Sequence, residues 1–267
     1  MKVFVGDGEV DSVPADDRGL AYGDGVFETM RAHRGEVPWW GAHWARLAEG
    51  AARLGLPLPA QARVRDEARR LLDGGDAVLK LLVTRGGGAR GYAPPRAPVP
   101  TWALSVHALP PPPPGDGLHV RWCTLRLARQ PALAGIKHCN RLEQVLARAE
   151  CDGFDEGLLL DARGDVAGAT AANVCVLRDG RWRTPPVDQC GVAGVCRGWL
   201  LREAGAVEAQ LSREDVEAAD AVVLCNAVRG ILPVARLQDR AWAPHPAVAA
   251  LRDALGAAHP AFAPGVP

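Results

Sequence analysis

The sequence contains very little lysine. Only Lys2, Lys80 and Lys137 are lysines among 31 basic residues, and the other 28 are arginines. The 31 acidic residues balance this charge, so the formal net charge at pH 7 is zero. Affinity for nucleic acid or for an anionic membrane surface requires an excess of positive charge. Neither partner is therefore expected, despite the abundance of arginine.

Long apolar runs are also absent. No segment approaches the ~20 apolar residues that a membrane-spanning helix needs, and the N-terminal stretch MKVFVGDGEVDSVP has no signal-peptide core. Hydrophobic residues make up 48% of the 267-residue chain and charged residues 23%, which is typical of globular proteins. These features predict a cytoplasmic protein with one large domain or two of ordinary size.

Paired cysteine motifs are missing. The seven cysteines are odd in number and widely spaced, and none of them forms a C-x-x-C pair. This pattern argues against a zinc site or a disulfide framework and favours a reducing compartment. No metal site is expected.

Five consecutive prolines at 110–114 mark a sharp change in composition. Such a run is stiff and extended and has no backbone donors. It predicts an N-terminal domain over 1–109, a proline-rich linker over 110–117 and a C-terminal domain over 118–267.

Hydrophobic periodicity predicts mixed α and β structure in both domains. Helical spacing marks residues 39–54 and a second segment around 64–72, whereas 77–84 and 101–108 have the composition of strands. In the C-terminal domain, strands are expected in LHVRWCTL, EGLLLDARGDV and NVCVLRDGRWRT. The segment NRLEQVLARAE predicts a helix with four apolar residues on one face: Leu142, Val145, Leu146 and Ala149.

Lys137 lies at a predicted junction between a strand and this helix, beside aliphatic neighbours. Partial desolvation there would lower the pKa of the ammonium group and favour the neutral, nucleophilic amine that Schiff-base chemistry requires. From spacing alone, however, a surface lysine on a loop is the favoured interpretation.

Three further stretches have two interpretations each. The glycines of GVAGVCRGW (191–199) precede a predicted helix, whose N-terminus could bind an anion or could follow an ordinary tight turn. The arginines of RGGGARGY (85–92) could hold a carboxylate or lie on a solvated loop. Arg46, in HWARL, lies off the apolar face of its helix, so periodicity favours a surface arginine.

These four stretches occur together in one known family, in the same order along the chain as here. The chain resembles the fold-type-IV pyridoxal-phosphate enzymes, and within them the aminodeoxychorismate lyases. The resemblance spans residues 17 to 234 and rests on the segments DRGLAYGDGVFETMR, HWARL, LLVTRGGGARGY, LAGIKHCNRLEQVLAR, DEGLLLD, ATAANVCV, TPPVDQCGVAGVCR and LCNAVRGILPV. GIKHCNRLEQ is the most diagnostic of them.

The resemblance implies a two-domain α+β fold, with an N-terminal α/β sandwich and a C-terminal β-barrel-like domain that carries helices. It implies that Lys137 carries pyridoxal 5'-phosphate and moves protons. Arginine cannot replace this lysine, because a guanidinium stays protonated and forms no Schiff base. The cofactor phosphate would be held by Arg46, the backbone of Val195 and Cys196, and Ala227.

The activity implied is a carbon–oxygen lyase of folate biosynthesis that converts 4-amino-4-deoxychorismate to 4-aminobenzoate and pyruvate, in a homodimer. Substrate contacts are expected from Arg85, Arg90, Tyr92 and Asn226. Two alternatives stay open: an aminotransferase of the same fold, specific for D-amino acids or branched-chain amino acids, and a cofactor-binding paralogue without catalysis.

One position departs from the family pattern. Gly168 stands where relatives usually have a glutamate that pairs with the pyridine nitrogen of the cofactor. Glycine cannot supply this carboxylate, which keeps the ring an electron sink. Formation of an aromatic product would help to drive the elimination, so the departure favours lyase over aminotransferase and keeps the non-catalytic alternative open.

Overall fold

The computed structural model describes residues 1–263 and residue 265. The chain divides into two compact units. The first contains Met1–Leu109 and a distant segment, Ile136–Asn140, and the second contains Pro110–Gly135 and the chain from Arg141 onward. Whereas the sequence prediction placed Lys137 in the C-terminal domain, the structure groups this residue with the first unit.

The first unit is an antiparallel sheet covered by helices. Its elements are β1 (Lys2–Val5), β2 (Gly8–Val10), α1 (Arg18–Tyr22), β3 (Gly25–Ala32), α2 (Trp40–Leu54), α3 (Gln61–Leu72), β4 (Ala77–Thr84) and β5 (Thr101–His107). The strand order is β2-β1-β5-β4-β3. Helices α2 and α3 pack on this sheet, and their apolar faces form one core with it. The predicted α/β sandwich is therefore present.

The alternation of side chains along β3 explains what it buries. Val26, Glu28 and Met30 occupy alternate positions, and all three are buried, because successive side chains of a strand point to opposite faces. Helix α2 supplies Leu47 and Ala51 to the same core. A carboxylate therefore takes one of the core-facing positions of this strand.

The segment 136–140 lies along the free edge of β3. The backbone N–H of Phe27 donates to the carbonyl of Lys137 at 3.0 Å, and the N–H of Cys139 donates to the carbonyl of Gly25 at 2.9 Å. These bonds explain the difference from the predicted domain boundaries. The proline run predicts a break in the chain, but composition carries no signal for a pairing between residues so distant in sequence.

The second unit is built on one nine-stranded sheet. Its elements are β6 (Leu118–Leu127), α4 (Leu142–Ala149), β7 (Glu156–Asp161), β8 (Val166–Ala169), β9 (Asn173–Arg178), β10 (Arg181–Thr184), α5 (Val195–Glu203), β11 (Val207–Glu208), α6 (Arg213–Glu217), β12 (Ala221–Asn226), β13 (Gly230–Leu237), β14 (Arg240–Ala241), α7 (Pro246–Ala258) and a short 3₁₀ helix (Pro260–Phe262).

The strands follow the order β11-β10-β9-β12-β13-β6-β7-β8, and β14 pairs with β13. The sheet curls so that β8 also packs near β9, which gives a half-barrel. Its interior is filled by an apolar cluster that includes Val120, Leu158, Val174 and Leu224. This architecture agrees with the expected barrel-like domain. No helix in residues 1–263 is long and apolar enough to cross a bilayer.

Helix α4 differs from the sequence interpretation in one respect. Its predicted apolar face is on the surface, with Leu142 exposed by 76% and Val145 and Leu146 by 60% each. Ala147, on the opposite side, is the buried residue of this helix. Periodicity identified the apolar stripe correctly, but within the described chain this stripe covers no core.

Candidate active site

Lys137 is held by main-chain bonds beside an aromatic ring. Its segment pairs with β3 through the carbonyl of Lys137 itself, so its backbone position is fixed by the edge strand of the first unit's sheet. The Nζ atom lies 4.4 Å from the centroid of the Phe27 ring. The side chain is half-buried. A partly desolvated amine on a fixed backbone is the arrangement that covalent amine chemistry requires.

The same ring has a second cationic neighbour. Lys80 of β4 places its Nζ atom 5.5 Å from the Phe27 centroid, but Lys80 is exposed. The two lysines therefore share an aromatic contact and differ in burial. Lys80 is a natural control for Lys137.

Glu28 is the buried acceptor of a charged cluster in the first unit. Its Oε1 accepts from Nε of Arg46 at 2.8 Å, and its Oε2 accepts from Nδ1 of His43 at 2.6 Å. Only 1% of the Glu28 side chain is exposed. Burial opposes ionisation, but the charge of Arg46 and the hydrogen bond from His43 outweigh it, and the pKa of the Glu28 carboxyl lies below its ordinary value.

His43 completes this cluster. Burial, opposed by its bond to Glu28, lowers the pKa of the imidazole below its ordinary value. The ring is therefore neutral at pH 7, with Nδ1–H donating to the carboxylate. Within the described chain, the buried Nε2 atom has no hydrogen-bond partner. His43 thus fixes Glu28 without adding a positive charge beside Arg46.

The position of Arg46 differs from what helical periodicity favours. Only 11% of its side chain is exposed, because Glu28 draws the guanidinium toward the sheet. Neither Glu28 nor His43 was singled out by the sequence analysis. One signal was available: Glu28 interrupts the apolar inward positions of GVFETMR, and an acidic residue at such a position needs a buried cationic partner.

The arginines of the glycine-rich loop have different environments. Arg85 is buried and uses four of its five N–H groups internally: Nε and Nη2 bind Asp24, and Nη1 and Nη2 also donate to the carbonyls of Gly55 and Leu54. Arg90 is exposed, and Tyr92 is 86% exposed. The structure therefore leaves Arg90 and Tyr92 accessible, whereas Arg85 anchors the C-terminal end of α2.

In the second unit, the N-terminus of α5 presents backbone donors. Val195 and Cys196 are the first helical residues, both buried, and no side chain described here caps the helix at Gly194. A Cβ atom at Gly194 would clash with Oδ1 of Asn173, whose Nδ2 donates to the carbonyl of Val192 at 3.0 Å. The first N–H groups of a helix have no intrahelical partner. This turn therefore suits a phosphate.

A tight turn follows strand β12. Oδ1 of Asn226 accepts from the backbone N–H groups of Val228 and Arg229, and its Nδ2 donates to the carbonyl of Ala171 at 3.3 Å. The side chain of Asn226 thus shapes the turn that contains Ala227, which is buried.

Gly168, in β8, has a backbone φ of +152°. A Cβ atom added there would lie 3.3 Å from the carbonyl oxygen of Ala172. L-amino acids rarely adopt this conformation. A glutamate is therefore disfavoured at this position by the backbone itself.

Comparison with known proteins identifies the class. The model of the class IV aminotransferase family matches residues 25–237. An aminodeoxychorismate lyase of Vibrio harveyi is 36% identical over 239 residues, which cover 83% of this chain and 86% of that protein. A putative branched-chain-amino-acid aminotransferase of Methanocaldococcus jannaschii is 33% identical over 90% of this chain and 89% of its own length.

Among solved structures, the 4-amino-4-deoxychorismate lyase of Pseudomonas aeruginosa superposes with a TM-score of 0.89. It is 41% identical, and the match covers 96% of this chain and 98% of that one. The chain belongs to the class IV aminotransferase family.

Proposed function

We propose that the protein is a lyase that converts 4-amino-4-deoxychorismate to 4-aminobenzoate and pyruvate with pyridoxal 5'-phosphate as cofactor. The observation that carries the proposal is Lys137, a half-buried lysine that main-chain bonds hold beside Phe27 in a chain with only three lysines. The similarity to lyases of this name, at 36% and 41% identity, supports the substrate.

The donor groups described above fit an aldehyde cofactor that carries a phosphate. Lys137 is the amine that would bind the aldehyde. Arg46, the N–H groups of Val195 and Cys196, and the turn at Ala227 would hold the phosphate. When bound, the cofactor supplies an electron sink for charge that develops at the carbon bearing the substrate amine.

The chain's own residues supply proton transfer and orientation. Lys137 takes the proton from the reacting carbon as general base and returns a proton during release of pyruvate. Glu28 and His43 keep the Arg46 guanidinium in one orientation, so that the anion it binds is fixed. Proton transfer by a positioned group such as Lys137 contributes ~10²–10⁴-fold to a rate.

Two exposed residues are proposed to bind the substrate carboxylates. Arg90 offers a guanidinium for a bidentate contact, and Tyr92 offers a ring and a hydroxyl. Arg85 and Asn226, predicted alongside them, have most of their polar groups engaged within the chain. We assign these two a supporting role in which they shape the loops.

The test is release of pyruvate and 4-aminobenzoate from 4-amino-4-deoxychorismate by the purified protein with added cofactor. Equal amounts of both products are expected from the wild type. Lys137→Ala should release neither product, and Lys80→Ala should release both at the wild-type rate. Borohydride reduction followed by peptide mass spectrometry should place the cofactor on Lys137 rather than on Lys2 or Lys80. Cofactor on Lys137 without either product would overturn the lyase assignment.

Amino transfer is the second candidate, since the family model and the Methanocaldococcus jannaschii relative carry that name. Exchange of the amino group between a D- or branched-chain amino acid and a keto acid, without pyruvate from aminodeoxychorismate, would identify it. If the protein binds the cofactor but shows neither activity, it is the non-catalytic paralogue.

We further propose that the protein is a cytoplasmic homodimer of folate biosynthesis. The odd number and wide spacing of the seven cysteines favour a reducing compartment. The exposed apolar face of α4, formed by Leu142, Val145 and Leu146, is a surface that a second copy would cover. Sedimentation velocity of the purified protein tests the dimer.

A further inference from the structure

The glycine-rich loop that carries Arg90 and Tyr92 is held by a buried arginine. Arg18, the first residue of α1, is only 4% exposed. Its Nη1 donates to the carbonyl of Gly91 at 2.8 Å, and its Nη2 donates to the carbonyl of Tyr92 at 3.0 Å. One planar guanidinium thus fixes two successive peptide units, in a fork geometry that lysine does not reproduce.

A tyrosine of the same helix adds a third contact. The hydroxyl oxygen of Tyr22 accepts from the backbone N–H of Gly91 at 3.0 Å. The Arg18 guanidinium lies 4.9 Å from the centroid of the Tyr22 ring, and the Tyr22 and Tyr92 rings pack edge to face at 5.5 Å. Both polar groups of the Gly91 backbone are therefore satisfied by α1.

Asp24 compensates the charge of the buried arginine. Its Oδ2 accepts from Nε of Arg18 at 2.9 Å and from Nε of Arg85 at 2.7 Å. Burial opposes ionisation of Asp24, but the bonds from Arg85 and then Arg18 outweigh it, so the pKa of this carboxyl lies below its ordinary value. The carboxylate links the arginine at the start of the loop to the arginine that holds its end.

The first residues of the loop are fixed as well. The backbone N–H of Arg18 donates to the carbonyl of Gly86 at 2.9 Å, and the N–H of Gly86 donates to Oγ1 of Thr84 at 3.1 Å. Thr84 in turn donates to Oδ2 of the buried Asp17 at 2.9 Å. The loop is therefore attached at both ends to one short helix.

This arrangement is unusual for a surface loop. Such loops are ordinarily mobile, and burying a guanidinium is costly unless an anion and hydrogen bonds compensate it. In this protein Asp24 and two loop carbonyls compensate the buried guanidinium of Arg18. The loop that Arg18 holds presents an exposed aromatic ring and an exposed cation. We infer that Arg18 and Tyr22 are positioning residues that hold Arg90 and Tyr92 in the orientation that binds a carboxylate-bearing aromatic or cyclohexadiene substrate. The inference rests on the proposed function.

The test uses Arg18→Gln and, because this variant could fail to fold, Tyr22→Phe, which removes one hydroxyl and keeps the ring. KM for 4-amino-4-deoxychorismate should rise ~10-fold or more in Arg18→Gln, as expected for loss of charge-assisted hydrogen bonds, and less in Tyr22→Phe. The turnover number and the affinity for pyridoxal phosphate should stay within about 3-fold, since a uniform binding loss raises KM alone. Arg63→Gln, at a guanidinium bound to exposed Asp7, is the control.

Two readouts do not depend on turnover. Trypsin should cleave after Arg90 faster in both variants than in the wild type. The dissociation constant for 4-aminobenzoate, measured by calorimetry, should rise in parallel with KM. If the wild type binds 4-aminobenzoate but releases no pyruvate, the lyase proposal fails, and the dissociation constants of the two variants for 4-aminobenzoate then decide the loop inference by themselves. If cleavage accelerates while KM and the dissociation constant stay unchanged, the loop is held for another purpose and the inference is overturned.

Discussion

The guanidinium of Arg46 is joined side by side to the carboxylate of Glu28, with Nε 2.8 Å from Oε1 and Nη2 2.5 Å from Oε2. The pair connects helix α2 to strand β3 and lies almost wholly out of solvent. A paired guanidinium in this geometry has little freedom to rotate. The anion-binding arginine of the proposed site is therefore oriented before any ligand arrives.

Glu28→Gln should weaken cofactor binding about 10-fold. The substitution keeps the shape of the side chain but removes the charge that orients Arg46, and charge-assisted hydrogen bonds are roughly twice as strong as neutral ones. Titration of the apoprotein with pyridoxal phosphate, followed by absorbance, measures the change. Glu36→Gln is the matched control, because Glu36 also binds an arginine, Arg69, but at an exposed site. Equal affinities for the wild type and Glu28→Gln would show that Arg46 needs no such support.

Because of His43, the free energy of unfolding should depend on pH in the range just below neutrality. Its folded pKa is depressed by burial, so the unfolded chain binds a proton below pH ~6.5 and the folded chain does not. The free energy of unfolding should therefore decrease as pH falls from ~6.5 toward the folded pKa, with a slope of at most about 1.4 kcal/mol per pH unit. Urea unfolding at pH 7.5 and 5.5 checks this. His43→Gln should lose part of the slope, whereas exposed His107→Gln should keep it; identical slopes in all three proteins would contradict the assignment.

Gly168→Ala should lower the free energy of unfolding by about 1–2 kcal/mol, because an L-side chain is strained at this backbone conformation. Gly168→Glu should be destabilised at least as much, because its side chain meets the same backbone constraint. Gly41→Ala is the control. Gly41 lies in α2, and a Cβ atom there would meet nothing within 4 Å, so alanine should be neutral or stabilising. Equal stability of Gly168→Ala and the wild type would remove the backbone argument.

Leu146→Ser should shift the protein from dimer toward monomer. An exposed leucine on an apolar face contributes to association by burying its side chain against a partner, by about 1.5–3 kcal/mol for full burial. Sedimentation velocity over a concentration series measures the dissociation constant, which should rise at least 10-fold. Leu20→Ser is the comparison, since Leu20 is 72% exposed but lies on α1. A wild-type chain that sediments as a monomer would refute the proposed dimer directly.

Local patterns in the sequence predicted the elements from α2 to α5, but none of those before α2 or after α5. Helix α2 and strand β4 follow their apolar periodicity closely, because neighbouring residues decide which face of an element is buried. Periodicity could not reveal that Arg46 turns inward, since this depends on Glu28 in another element. Likewise, periodicity identified the apolar face of α4, but it could not show whether this face packs against the core of the same chain. Long-range partners, rather than local propensity, account for these differences.

The segment 136–140 has a consequence for the order in which the protein is made. Nδ2 of Asn140 donates to the carbonyl of Gly23, 117 positions earlier in the chain. The segment pairs with the edge strand β3 of a sheet whose last strand in the sequence ends at His107. Domains generally fold during synthesis from the N-terminus onward, yet this sheet stays open on the ribosome until residue 140 has emerged. During this interval the edge of β3 is available to other nascent chains. Lys137, the lysine of the proposed site, thus lies in the segment that pairs with this edge.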